Sequence, residues 1–338
     1  MPTFALKAAL ADFDQLAARA AYLTSAGRPV RLELHTFGQR DVDNTAALQG
    51  AHLNIRRLKA EFPVESLVVH VPPQSVPVVT RTDFDTGQCQ RSIAFAVEIG
   101  ANAVVMHRYF GMVFADAPAR ARNREEAISG FEAIILDLAR FAGDLRLLVE
   151  NVGHYSLLPR DGLSYLTGPL DHFFPWEIAH FRDFLARENL TTVEPFVDVA
   201  HATLSANLFN RRRRHPRRTA DDPRFAWITD DDLDHADRLH PFDFVDSGMP
   251  YLHVSDALQL DEAACRDPGL DEKTLTASIV SEGLELGAGN LPFPALPERF
   301  GMSGELVLEV EPASSETHVG NGAQLRSLET LAQIYEAA

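Results

Sequence analysis

The chain has 338 residues, 46% of them apolar and 23% charged, a composition that suits a globular protein with a large core and excludes a disordered chain. A formal charge of −17 at pH 7 disfavours nucleic acid and anionic membrane surfaces as partners, and leaves a small molecule as the expected one. The two cysteines, Cys89 and Cys265, lie far apart without CxxC spacing, so they read as buried thiols and not as a disulfide framework or a metal site.

The first residues lack a charged segment followed by a long apolar run, and no apolar stretch is long enough to span a bilayer, so a cytoplasmic protein is expected. Short runs rich in Val, Ile and Leu then recur in chain order: Thr3 to Leu6, Val30 to His35, Leu67 to Val71, Ala103 to His107, Leu145 to Glu150, Glu194 to Asp198, Tyr251 to Val254 and Leu306 to Val310. Near-continuous apolar runs suit strands covered on both faces. The segments between them have helical spacing. Cys89, Ile93, Ala96 and Val97 form one such stripe, with Gly100 placed as a left-handed helix stop, and Phe131, Ile134, Ile135, Leu138 and Phe141 form another.

This alternation predicts an α/β protein, a (β/α)8 barrel formed by residues 1–338 as a single domain, with a doubly wound open sheet as the alternative. The stretch from Leu204 to Pro250 is the irregular one, and it reads as a long insertion on the loop after the sixth strand. It carries the run Arg211 to Arg218, six of the 31 basic residues. On a catalytic-face loop, Arg212, Arg213 and Arg214 would clamp a phosphate or carboxylate of the substrate; the alternative is a solvated charge run.

Strand after strand closes on a residue able to bind a metal: His70, His107, Glu150, Asp198 with His201 three residues on, His253 and Glu309. Apolar strands do not end in buried His and Glu unless those groups are paired or coordinating. In a parallel barrel these ends converge on one face. Glu, Asp and His together suit Mn²⁺, Mg²⁺, Co²⁺ or Zn²⁺ without choosing among them.

The motifs GluAsnVal at Glu150, AspValAlaHis at Asp198, HisValSerAspAla at His253, GlyAlaGlyAsnLeuProPhe at Gly287 and LeuGluValGluPro at Leu308 resemble, in order and spacing, the xylose isomerase-like barrel superfamily. That group holds sugar isomerases and epimerases together with endonuclease IV type apurinic endonucleases. The resemblance implies one divalent metal held by Glu150, Asp198, His253 and Glu309. It also implies Glu150 and Glu309 as the catalytic proton carriers and His201 as a contact to substrate oxygen. The expected substrate is a sugar or related polyhydroxy carbonyl compound, and a homodimer is common in the group.

His70, His107 and His201 match further ligands of the endonuclease branch. That branch has an Asp-x-His pair where this chain has Ser281, Glu282 and Gly283, which argues against phosphodiester cleavage. His70 and His107 then either complete a second metal with Glu150 as bridge or hydrogen-bond the substrate. Glu311, on the same strand face as Glu309, is its rival as the last ligand. His35, His154, Phe173 and Trp176 are less informative: a pocket residue, a loop residue and an apolar lid are their functional readings, and packing is the alternative.

Overall fold

The structure is a computed structural model that describes residues 1–35, 44–72, 81–108, 124–153, 173–225 and 227–338, and, of residues 113–114 and 166–167, only their antiparallel pairing. Eight strands form the barrel: β1 Thr3–Ala9, β2 Val30–His35, β3 Val64–His70, β4 Ala103–His107, β5 Arg146–Glu150, β6 Val193–Asp198, β7 Tyr251–Val254 and β8 Glu305–Leu308. Each pairs in parallel with its sequence neighbours, and β1 pairs with β8, so the sheet closes on itself. Closure removes the open-sheet alternative.

Helices cover the outside: α1 Phe13–Ser25, α2 Thr45–Glu61, α3 Thr86–Ile99, α4 Arg124–Ala142, α5 Pro175–Arg187, α6 Val199–Arg214, α7 Glu272–Val280 and α8 Gly322–Ala337. Their starts are written in short polar residues. Asp12, Asn44, Asp85 and Asp198 each accept a backbone N–H of the first turn, at helix ends that would otherwise leave donors unsatisfied. Gly100 closes α3 at φ 65°, a left-handed conformation that costs a side-chain-bearing residue energy.

Strand alternation divides the core in two. One set of side chains faces the helices, as Leu6, Leu32, Val69, Val104, Leu147, Val197, Leu252 and Leu308 do. The other fills the barrel: Ala5, Val68, Ala103, Val105, Leu148, Phe196, Tyr251 and Val307 pack together as a separate apolar layer. Two residues further along seven of the eight strands, on the same inward side, come Lys7, His70, His107, Glu150, Asp198, His253 and Glu309. The period of two therefore stacks a polar layer directly on the inner apolar layer, toward the carboxyl ends of the strands.

The connection after β6 differs from the sequence-based expectation. Helix α6 starts at Val199, directly after the strand, because the Asp198 side chain caps it. The irregular residues come after that helix, in the connection to β7, which holds the short helix Asp230–Asp234 and the 3-10 turn Pro241–Phe244, the latter packed against α6. Both cysteines are buried and free. Among the described residues no helix is long and apolar enough to cross a membrane.

Candidate metal centre

The centre is built around His253, fully buried in β7. Its Nδ1 lies 3.0 Å from Glu150 Oε1, 2.6 Å from Glu309 Oε2 and 3.9 Å from Asp198 Oδ2. One ring nitrogen cannot donate to three carboxylates. Glu309 Oε2, despite its distance, has no hydrogen-bond partner of acceptable geometry. One donor atom from each of Glu150, Asp198, His253 and Glu309 lies within 4.8 Å of the other three. Two unit charges about 4 Å apart in a partly screened site repel by about 4 kcal/mol, so three carboxylates gathered here need cationic neighbours. The donor set fits a hard or borderline divalent ion.

Two further groups enter that the strand-end pattern did not single out. Glu33, on β2, is fully buried and its Oε2 is 2.7 Å from His253 Nε2 and 2.7 Å from the Tyr251 hydroxyl, which donates to it. Lys7, paired in register with Glu33, forms an ion pair with Glu309 and stands 3.8 Å from Glu33 Oε1. Their signal was present in the sequence as charges at inward spacing: Lys7 lies two residues after Ala5, and Glu33 two before His35.

Glu150 is the residue where both donor sets meet. Its Oε2 is 3.2 Å from His70 Nε2 and 3.4 Å from His107 Nε2, and these three residues form a second group of converging donors. Burial works against a charge on Glu150, but His253, by charge and hydrogen bond, and a hydrogen bond with His70 hold its carboxyl well below the usual range. Burial pushes the His107 imidazole down to about 3, so its ring is neutral and has a lone pair to give. Asp198 is pushed up to about 6, by burial first and by the nearby Glu309 and Glu150, against the pull of His201.

His201 is held from both sides. The Asn151 carbonyl oxygen lies 2.8 Å from Nδ1, and Glu282 Oε2 lies 3.0 Å from Nε2. Burial opposes its charge, and Asp198 and Glu282 override this to raise its pKa well above the usual value. The Asn151 amide ties strand ends β5 and β6 together, accepting the Asp198 N–H at 2.7 Å and donating to the Asp198 carbonyl at 3.2 Å. A Cβ on Gly153 would come within 2.8 Å of Leu204 and 3.0 Å of His201, so the turn after GluAsnVal has room only for glycine.

The glycine-rich motif has a similar explanation. Asp256 accepts the backbone N–H groups of Ala257, Gly287, Gly289 and Leu291, and a Cβ on Gly289 would lie 2.2 Å from the Ala257 carbonyl oxygen. This pins the loop following β7 beside the centre.

No protein-family model and no curated protein sequence matches the chain. Solved structures do. D-psicose 3-epimerase with D-tagatose from Clostridium cellulolyticum superposes at a TM-score of 0.55 with 9% identity, over 98% of this chain and 99% of that one. A xylose isomerase-like TIM barrel/4-hydroxyphenylpyruvate dioxygenase fusion protein superposes at 0.52 with 13% identity, over 99% of this chain and 44% of that one. The chain shares the (β/α)8 barrel fold of these proteins. A Thermus thermophilus protein soaked with ZnCl2 also superposes at 0.52, with 16% identity over 99% of this chain and 98% of that one.

Within this barrel the remaining candidates fall in different places. Glu311 is exposed and stands outside the converging donors, whereas Glu309 is among them. His35 closes β2 with its ring 6.4 Å from that of His70, and burial pushes its pKa down to about 3. Phe173 packs under Arg108 and against Phe181, and Trp176 donates to Asp232 and stacks on His235, so both serve the helix layer and not a lid. His154 lies outside the described residues.

The arginine run is a correction. Arg212, Arg213 and Arg214 do not sit on a catalytic-face loop; with Arg211 they form the last turn of α6, roughly 24 Å from its start at the strand end. There Arg213 pairs with Asp237 at 3.0 Å, Arg214 with Glu262 at 2.7 Å, and Arg212 approaches Asp230 at 3.9 Å. Cations at a helix carboxyl end also meet the negative end of its dipole.

Proposed function

We propose that this protein is a divalent-metal-dependent isomerase or epimerase acting on a sugar or a related polyhydroxy carbonyl compound. The observation that carries this reading is the convergence of Glu150, Asp198, His253 and Glu309 donor atoms, from the ends of four adjacent strands, within 4.8 Å of one another. A bound divalent cation would supply polarisation of the substrate carbonyl and its neighbouring hydroxyl, which acidifies the carbon between them. Glu150 and Glu309, both held well below the usual carboxylate range, are the bases at hand: one takes the proton from that carbon and, as the carboxyl so formed, returns it to the neighbouring carbon in an isomerisation, whereas an epimerisation needs the other glutamate to enter as a carboxyl and leave as a carboxylate. His201 has Nδ1 against the Asn151 carbonyl oxygen and Nε2 against Glu282, so a substrate oxygen would reach it by taking the place of Glu282 at Nε2.

A second reading, a two-metal phosphodiesterase, has one observation in its favour: His70, His107 and Glu150 form a second donor set that shares Glu150 with the first. The two readings part on stoichiometry and on substrate. Purified protein equilibrated with Mn²⁺, Mg²⁺, Co²⁺ or Zn²⁺ is expected to hold one ion per chain and to exchange a ketose carbon-bound proton with D2O. Two or more ions, with cleavage of an abasic oligonucleotide and no exchange, would select the phosphodiesterase. Metal-free protein under all four conditions would reject both and leave a barrel without metal chemistry.

A further inference from the structure

We infer that Glu33 is a positioning residue of the metal centre: it accepts the Nε2–H of His253 and so directs the Nδ1 lone pair of that ring at the metal. The inference rests on the metal-centre reading proposed above and extends it to a residue outside the four-ligand set.

The geometry is specific. Glu33 Oε2 lies 2.7 Å from His253 Nε2, while Nδ1 of the same ring faces Glu150, Glu309 and Asp198. A bound metal takes the place of one imidazole proton, leaving one N–H and one coordinating lone pair, and the nitrogen with a hydrogen-bond acceptor keeps its proton. Glu33 is placed to keep the proton on Nε2. The opposite tautomer would aim an N–H into the metal position and leave two lone pairs, those of Nε2 and Glu33, facing each other.

Glu33 is itself held. The Tyr251 hydroxyl donates to the same Oε2 at 2.7 Å, and Lys7 stands 3.8 Å from Oε1, an oxygen with no hydrogen-bond partner. Tyr251 and His253 are two residues apart on β7 and point inward together, so a single carboxylate from β2, across the barrel, clamps both. Burying an acid in the middle of a strand is costly unless it is paired, which is why Glu33 reads as part of the site and not as barrel filling. Glu33 also converges with His70 and His253 as a donor group, so a rival role as a ligand to a separate ion has to be separated by the test.

The experiment is metal titration of the full-length apo protein with Co²⁺ and Zn²⁺ by calorimetry, for the natural chain, Glu33→Gln, Glu33→Leu and Tyr251→Phe, with thermal unfolding of each. Gln keeps an acceptor for Nε2–H and Leu removes it. The expected order of Kd is natural chain, then Glu33→Gln, then Glu33→Leu, with the Leu variant weaker by about 10- to 100-fold at unchanged stoichiometry. In Co²⁺-loaded protein the exchangeable Nε2–H resonance of His253 is expected in the natural chain and in Glu33→Gln, and lost to solvent exchange in Glu33→Leu. Tyr251→Phe is expected to shift Kd in the same direction by less. Metal affinity equal to that of the natural chain in both folded Glu33 variants overturns the inference alone. A stoichiometry lowered by one overturns it in favour of a ligand role. Should Leu fail to fold, the Gln variant together with Tyr251→Phe decides, since unchanged Kd and resonance in both would overturn it. No binding by the natural chain overturns the metal-centre reading together with this inference.

Discussion

The two ends of the barrel interior are built from the same strands, four residues apart, and treat charge in opposite ways. At the amino end Arg31 reaches Glu305 at 2.7 Å and also pairs with Glu65, and Arg146 reaches Glu194 at 3.0 Å, so each cation has its acid. At the carboxyl end Glu33, Glu150, Asp198 and Glu309 crowd around Lys7, His201 and His253, and the oxygens Glu33 Oε1 and Glu309 Oε2 have no hydrogen-bond partner. Matched pairs close a barrel; an excess of donors facing one point is a place for a cation. The difference separates structural charge from functional charge without reference to any relative.

The largest effect is expected at the crowded end. Glu150→Gln or Glu309→Gln is predicted to lower the rate of proton exchange by about 10²- to 10⁴-fold or more, because each residue is proposed as both ligand and proton carrier, with unfolding temperature and circular dichroism little changed. Activity and metal content equal to those of the natural chain in both variants would dissolve the contrast between the two ends.

His70 and His107 sharpen it. As substrate hydrogen-bond donors their replacement by Ala is predicted to raise KM at constant metal stoichiometry; as ligands of a second ion it is predicted to lower stoichiometry by one. Their positions against Glu150 Oε2, at 3.2 and 3.4 Å, allow either, and counting metal in the two variants chooses.

The matched regions are predicted to respond in stability alone. Glu177, at the start of α5, is buried, which opposes its charge, yet Arg108 and Arg124 pull its carboxyl down to about 2. A depressed carboxyl contributes stability that is complete above its unfolded value near 4.5 and is lost as the pH falls toward 2. The pair is therefore worth about 3 kcal/mol at neutral pH, and Arg124→Leu is predicted to remove much of it while flattening the acid limb of the unfolding curve. At the amino end of the barrel, Arg31→Met would leave Glu305, already raised by burial, without its cation, at a cost of about 1–3 kcal/mol and with no change in metal affinity.

The smallest effect is expected at the arginine turn. Replacing Arg212, Arg213 and Arg214 by Gln is predicted to change stability by no more than about 1 kcal/mol for each half-exposed pair, and to leave KM for anionic and neutral substrates in unchanged ratio. A selective loss for the anionic substrate would return these arginines to the site.

These regions also differ in how legible they were. The strand-end residues His70, His107, Glu150, Asp198, His253 and Glu309 could be found because a polar residue closing an apolar run is rare and the barrel brings such ends together. Lys7 and Glu33 were passed over because they lie inside runs, where only the alternation of inward and outward faces gives them away. The arginine run was misplaced for a different reason. Its nearness in sequence to Asp198 suggested the catalytic face, but Asp198 caps a helix that begins at once and carries the run to the other side of the molecule. Sequence distance from a strand end says little until the helix start is located.

The crowded end is proposed to hold a divalent cation through Glu150, Asp198, His253 and Glu309. Equilibrium uptake of Mn²⁺ and Zn²⁺, measured by elemental analysis after dialysis, tests it in the natural chain beside Asp198→Asn and His253→Ala. One ion per chain is expected in the natural protein, with most of it lost in each folded variant. No uptake by the natural chain, or equal uptake by all three, would contradict it.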